Sequence, residues 1–223
     1  YPRKKSTLPL TMQGTSMPLA QTHIEKRGSA QVKSAILFSA LSTPGETTIE
    51  EKNISRNHTE IFLKKISASI KIKKIKKGNL ISLKGQKNLL AFNYNVGFDP
   101  SSAAFIIALT LLTPNSKSII KNVVCNPTRI KYIEILKKMN AKIKIKNLRK
   151  DSNSGEFLGS IVTESSNLKP VSISKDVGMF IDELPILFVI AAMTRGTSKF
   201  KSISELAHKE SSRAVEMKKI LEQ

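Results

Sequence analysis

Residues 55–72 read Ser55-Arg56-Asn57-His58-Thr59-Glu60-Ile61-Phe62-Leu63-Lys64-Lys65-Ile66-Ser67-Ala68-Ser69-Ile70-Lys71-Ile72. The pattern returns 73 residues later, where Thr128-Arg129 leads to Leu136-Lys137-Lys138-Met139-Asn140-Ala141-Lys142-Ile143-Lys144-Ile145. Each copy opens on a Ser/Thr-Arg loop, passes through helix-spaced apolar residues and ends in strict Ile-Lys alternation, the period of a strand with one dry and one wet face. A looser third copy opens at Ser212-Arg213, 84 residues beyond Arg129. An apolar helix and a strand precede each loop, so one unit reads helix, strand, Arg loop, helix, strand pair. A repeat of this length is a supersecondary unit, not a short-period solenoid. The chain opens on the strand pair of an earlier copy and stops inside the second helix of the third, so both ends read as cut.

Working outward, the pattern predicts an α/β fold. Helices are expected at Ala30–Leu41, His58–Ile66, Ser101–Leu112, Ile130–Asn140, Leu184–Thr194 and from Arg213 to the end. Strands are expected at Leu8–Gln13, Leu19–Glu25, Thr47–Lys52, Ser69–Ile75, Asn79–Lys84, Ala91–Val96, Ser118–Val123, Lys142–Asn147, Ser160–Glu164, Val171–Ser174 and Ser198–Ser202. Asn57 with Glu60 makes a capping-box pattern, Asp99-Pro100 places an N-cap before a first-turn proline, and Ser29 can cap the helix after it. Asn95–Phe98, with Gly97, is the best place for the chain to cross between domains.

Composition narrows the classes. The 223 residues are 40% hydrophobic, enough for a core and against disorder. The longest apolar run, Leu184–Met193, is interrupted by Pro185 and is too short to span a bilayer, so a soluble protein is expected. No leader follows Tyr1. One cysteine, Cys125, precludes an internal disulfide and reads as a small buried residue rather than a nucleophile. The net charge of +20 invites a nucleic-acid reading, but only seven of the 37 basic residues are Arg. Nucleic-acid readers lean on Arg forks, and here Lys decorates wet strand faces. The general field would instead recruit small anions. His23, His58 and His208 are far apart, so no metal-ligand spacing exists.

The chemistry-bearing residues cluster at loop-to-helix junctions. Arg27-Gly28-Ser29-Ala30-Gln31 opens a helix with small residues and two polar side chains, which suits either an anion or a simple cap. Arg56 and Arg129 occupy equivalent loops and read as structural unless one copy is specialised. Asp182 and Glu183 are either helix N-terminal acids that complement the dipole or, for Asp182, a general base in an apolar surround. Lys209 and Glu210 are either an exposed pair or partners of Asp182 in proton transfer, with Arg213 one helical turn on to hold an anion.

Seven segments stand in order: Arg27-Gly28-Ser29-Ala30-Gln31, Pro44-Gly45-Glu46-Thr47-Thr48, Ser55-Arg56-Asn57-His58-Thr59-Glu60, Asp99-Pro100-Ser101-Ser102-Ala103-Ala104-Phe105, Asn126-Pro127-Thr128-Arg129, Ile181-Asp182-Glu183-Leu184-Pro185-Ile186-Leu187 and Lys209-Glu210-Ser211-Ser212-Arg213. Together they resemble the EPSP synthase family, of the bacterial type represented by glyphosate-tolerant enzymes, across essentially the whole chain. The resemblance implies βαβαββ units around a pseudo-threefold axis in two lobes, an inverse α/β barrel that is incomplete here. Residues 1–97 would be the later part of the first lobe and 98–223 the earlier part of the second.

The resemblance further implies transfer of the enolpyruvyl group of phosphoenolpyruvate to the 5-hydroxyl of shikimate 3-phosphate, with phosphate released, in aromatic amino acid (chorismate) biosynthesis. No cofactor and no metal are implied. Ser29, Ala30 and Gln31 would hold shikimate 3-phosphate, and Arg56 its phosphate. Asp182 would accept the hydroxyl proton, Lys209 would bridge the substrates and share proton transfer, Glu210 would protonate the methylene, and Arg213 would bind phosphoenolpyruvate. The expected partners are these two substrates, with neither nucleic acid nor membrane; the full-length protein would be a cytoplasmic monomer. The family's N-terminal Lys-Ser…Arg and C-terminal Asp-His-Arg motifs are not in the chain, so the 223 residues alone are expected to be inactive. Ser212 stands where the family usually has Asp, and Phe98 intervenes between Gly97 and Asp99 where the family usually has Gly directly before the Asp. The alternatives are the related transferase acting on a UDP-aminosugar and a basic binding module without catalysis.

Overall fold

The structure, a computed structural model, describes residues 11, 13–174, 177–203 and 213–222. Its first sheet contains β1 (Thr22–Glu25), β2 (Glu46–Glu51), β3 (Ser69–Lys74) and β4 (Asn79–Lys84), in the order β1-β2-β4-β3. β1 and β2 run parallel, joined by α1 (Ala30–Leu41); α2 (His58–Lys65) links β2 to the antiparallel hairpin of β3 and β4. This is a βαβαββ unit. The second sheet repeats its later half: α3 (Pro100–Leu112), β5 (Lys117–Val124), α4 (Lys131–Lys138), β6 (Lys142–Lys150) and β7 (Phe157–Glu164), with strand order β5-β7-β6. A parallel bridge from Phe98 to Val123 stands where β1 stands in the first unit. A third partial unit has β8 (Ser172–Ile173) parallel to β9 (Lys199–Phe200), with α5 (Leu184–Ala192) between them and α6 (Arg213–Leu221) after.

The sequence repeat is visible in the backbone. After α2, Ser67 takes a positive φ of 62°, and after α4, Asn140 takes 68°. In the first copy the Ala68 amide reaches the Leu63 carbonyl at 2.9 Å, and in the second the Ala141 amide reaches Leu136 at 3.0 Å. A left-handed residue here closes the last helical turn and satisfies carbonyls that the helix leaves open. It also turns the chain directly into the Ile-Lys strand.

Two apolar cores form. One gathers Leu37, Ile49, Leu63, Ile81 and Leu83 beneath the first sheet; the other runs from Ala103 to Ile190 and joins the second and third units. In that second core α3 packs on α5. Ile107 and Leu111 of α3 are buried, yet Phe105 and Leu109 on its other side are 65% and 69% exposed. A helix apolar on all sides is normally covered on all sides. Cys125 is buried against this core, and burial pushes its thiol up to about 11, as fits a packing residue.

Lys33 sets the geometry of the first unit. It is the one charge in α1 and is fully buried. Its ammonium lies 2.8 Å from Glu51 at the end of β2 and 2.7 Å from Glu60 in α2. Burial pushes Glu51 up, but hydrogen bonds from Lys33 and Ser55 outweigh it, so its carboxyl sits below the ordinary value of 4.5.

Two expectations are corrected. Ala91–Val96 is not a strand. Its period-two signal comes from Phe92 and Tyr94, which stack edge-on against each other and against Phe62 of α2 instead of joining a sheet. The Asn57/Glu60 capping box is also absent, since Asn57 makes no side-chain cap. Glu60 is drawn inward by Lys33, and Asn57 accepts from Asn126 Nδ2 at 2.8 Å. By contrast, Ser29 does cap α1 and Asp99 does cap α3. The strand expected at Leu8–Gln13 falls largely outside the described residues.

Serine is disfavoured at the left-handed position, so Ser67→Gly is expected to raise stability by up to about 1 kcal/mol in urea unfolding. Asn140→Gly gains less, because Asn tolerates that conformation. Lys33→Ala leaves two buried carboxylates facing each other and is expected to cost about 3–5 kcal/mol. The stability supplied by Glu51 is complete above its ordinary 4.5 and is lost as pH falls through its lower folded value. Acid unfolding curves of wild type and Lys33→Ala should therefore converge below that range.

Candidate functional site

Each parallel strand in this fold ends in a loop that feeds a helix N-terminus. The candidate residues lie in these loops. Arg56 follows β2, Arg129 follows β5, Asp182 and Glu183 precede α5, and Arg213 opens α6. Phe180 and Ile181 anchor the turn before α5 in the core, which fixes where Asp182 emerges.

The turn places Asp182 between two arginines. Arg56 Nη2 donates to Asp182 Oδ2, and Arg213 Nη1 lies 3.3 Å from Oδ1. Arg56 belongs to the first unit and Arg213 to the third, so one carboxylate ties together segments far apart in the chain. Of the two readings left open for Asp182, neither placed it against cations; the structure presents two guanidinium groups to it.

A second set abuts the first. Arg129 donates to Asp99 Oδ1 at 2.7 Å and to Ser101 Oγ at 2.8 Å. Ser101 in turn donates to Glu183 Oε1. Burial lowers the proton affinity of Arg56 most, followed by the charge of Arg129, while Glu183 and Asp99 oppose the shift. Burial also pushes Asp99 up, but the Ser102 amide and hydroxyl and the Arg129 charge hold it below its ordinary value. Among the described residues the two sets combine three guanidinium groups with three carboxylates.

Ser29, Ala30 and Gln31 open α1 at the same end of the first unit. Ser29 Oγ accepts from the Val32 amide at 3.3 Å and lies 3.4 Å from Gln31 Oε1. Glu25 shapes this turn by accepting from the amides of Arg27 and Gly28. None of the three residues bonds to the arginine cluster among the described residues. Lys209, Glu210 and His208 lie outside the described residues, as does Ser212.

Sequence reasoning missed three members of this constellation. Asp99 and Ser101 were read only as helix-start residues, and Glu183 only as a helix-end charge. Arg129 was recognised as the repeat partner of Arg56, and that was the available signal. A separate polar joint links the units: His58 Nδ1 lies 2.5 Å from Glu156, and Asn126 Nδ2 donates to Glu156 at 3.0 Å. A cavity of about 440 Å³ between α2 and the β6–β7 turn, lined by Lys64, Lys65 and Lys150, holds none of the candidate residues. Among the described residues no acid, His or Cys cluster is placed to hold a metal, and no helix is long and apolar enough to cross a membrane.

Fold and site together define a protein of repeated βαβαββ-type units whose loop-to-helix junctions bring arginines and carboxylates together. The family profile for EPSP synthase (3-phosphoshikimate 1-carboxyvinyltransferase) matches residues 1–223, and the chain belongs to that family. The 3-phosphoshikimate 1-carboxyvinyltransferase of Helicobacter pylori strain Shi470 is 42% identical over 185 residues, which is 83% of this chain and 42% of that protein. The enzyme of the same name from Caldicellulosiruptor saccharolyticus is 41% identical over 212 residues, 94% of this chain and 48% of that protein. The EPSP synthase structure from Acinetobacter baumannii aligns with a TM-score of 0.80 at 33% identity, covering 98% of this chain and 48% of its own. The chain thus spans about half the length of the relatives it matches.

Arg129 Nη2 makes the bonds to both Asp99 and Ser101; Arg129→Lys keeps the charge but its shorter, non-planar ammonium does not reproduce that placement. It is expected to cost about 1–3 kcal/mol in thermal unfolding, because partners of a charged hydrogen bond are left unmet.

Proposed function

We propose that the complete protein is an enolpyruvyl transferase, moving the carboxyvinyl group of phosphoenolpyruvate to the 5-hydroxyl of shikimate 3-phosphate and releasing phosphate. The observation that carries this reading is Asp182 held between Arg56 and Arg213, a base between two anion-binding groups. Family membership gives those groups their substrates.

In this mechanism Arg56 takes the shikimate phosphate, with Ser29, Ala30 and Gln31 at the start of α1 holding the same molecule. Arg213 takes phosphoenolpyruvate. Asp182 then accepts the 5-hydroxyl proton as that oxygen attacks the enol carbon, and Glu210 delivers a proton to the methylene. A tetrahedral adduct forms. Loss of a proton from the methyl group and of phosphate regenerates the vinyl ether, with Lys209 sharing proton transfer and bridging the substrates. Fixed cations beside reacting anions lower the barrier because they need no reorganisation. The proton-transferring groups form a coupled set.

Residues 1–97 are assigned to the later part of one lobe and 98–223 to the earlier part of the other. The separate apolar cores on either side of Gly97 support this. A cytoplasmic monomer free of nucleic acid completes the reading. The exposed outer face of α3 would be covered by the rest of a longer protein.

The test is phosphate release by the complete protein in the presence of both substrates. Asp182→Asn is expected to lower kcat by about 10²–10⁴-fold with the fold intact. A complete, folded wild-type protein that releases no phosphate from the pair overturns the reading.

A further inference from the structure

Glu183 stands next to the proposed base, yet no step of the mechanism uses it. It is 2% exposed, and a buried carboxylate is costly unless something compensates its charge. Helix capping does not explain it. Although Glu183 occupies the N-cap position of α5, its side chain makes no capping hydrogen bond. The side chain reaches across to α3 and accepts the Ser101 hydroxyl. Among the described residues it forms no close ion pair, so its charge is not absorbed by one neighbour.

Its surroundings show where that charge acts. Arg56 and Arg129 come from equivalent loops of two units and converge on the same region, where each disfavours the other. Arg129 is itself 8% exposed and is fixed by Asp99 and Ser101. Asp182 pairs with Arg56 directly, and Glu183 and Asp99 add to the negative charge that favours its guanidinium. Beneath them Tyr132 is fully buried and donates to the Pro100 carbonyl at 2.9 Å. Burial, and next the Glu183 charge, keep its phenol neutral.

We propose that Glu183 is a positioning residue: its buried charge lets Arg56 and Arg129 stand together beside Asp182, and Ser101 of α3 sets its direction. The proposal rests on the transferase reading and adds a residue to that site. Among the described residues the charged and titratable groups facing the Asp182–Glu183 turn include Arg56, Arg129, Asp99, Tyr132 and Arg213; Lys209 and Glu210 lie outside the described residues. Removing the negative charge of Glu183 leaves Asp182 in a more positive field, which favours its ionised form.

The experiment compares wild type, E183Q, E183D and S101A in the complete protein. E183Q keeps the size and an acceptor for Ser101 but loses the charge. It is expected to move the acid limb of the kcat–pH profile downward by about half a unit or more. E183D restores the limb, and S101A lowers kcat while leaving the limb in place. The Asp182 carboxyl titration, followed by ¹³C NMR without substrate, should shift downward in E183Q as well. A wild type without turnover defeats the transferase reading, and the NMR titration then decides the role of Glu183 by itself. An unmoved Asp182 titration in folded E183Q overturns the proposal. Should E183Q lose its fold, a limb displaced in S101A as far as kcat falls overturns it instead.

Discussion

One buried lysine governs the first unit and, through it, the site. Lys33 joins α1, β2 and α2 at a point with no water to solvate its charge, so Glu51 and Glu60 must both approach it. Glu51 then accepts the amide and hydroxyl of Ser55, at 2.9 and 2.7 Å. Arg56 is the next residue, and it meets Asp182 of the third unit. The position of the proposed base is therefore linked, through three successive contacts and one peptide bond, to an ammonium in the core of another unit.

The repeat explains how such a site arises from similar parts. Arg56 and Arg129 leave equivalent loops ahead of equivalent helices. Arg129 turns to the α3 N-terminus of its own unit and bonds Asp99 and Ser101. Arg56 reaches across to Asp182. The same scaffold thus yields one arginine that bonds within its own unit and one that reaches across to another. Among the described residues the cluster matches three arginines with three carboxylates, in contrast to the +20 charge of the chain. The excess charge lies on lysine-rich strand faces, while the arginines of the cluster are engaged by carboxylates.

Much of this was legible in the sequence, because helix and strand periods are local signals. Ala30–Leu41 is a helix with the expected bounds, and Asn79–Lys84 a strand. The caps at Ser29 and Asp99 were also readable, since each acts within three residues of itself. Long-range polar contacts were not. Glu60 fits a capping box by spacing, but a lysine 27 positions earlier claims it. Ala91–Val96 alternates like a strand, yet its aromatic residues find Phe62 rather than a strand edge. At the site, Asp182, Arg56 and Arg213 were named from sequence, but Glu183 and Ser101 gain meaning only when α3 and α5 are seen to touch. The lone charge at Lys33 in an apolar helix was a signal of burial in hindsight.

Gly97 joins the two cores, and a glycine in a linker is commonly read as slack. Here a methyl group at that position would lie 2.7 Å from Leu158 and 2.8 Å from Val124. Phe98, directly after it, is bonded on both sides to β5, through the Asn122 carbonyl and the Val124 amide. The position is a packing contact rather than slack: a larger residue at 97 would press on Leu158 of β7 and Val124 of β5, the strand whose following loop carries the arginine that grips Asp99.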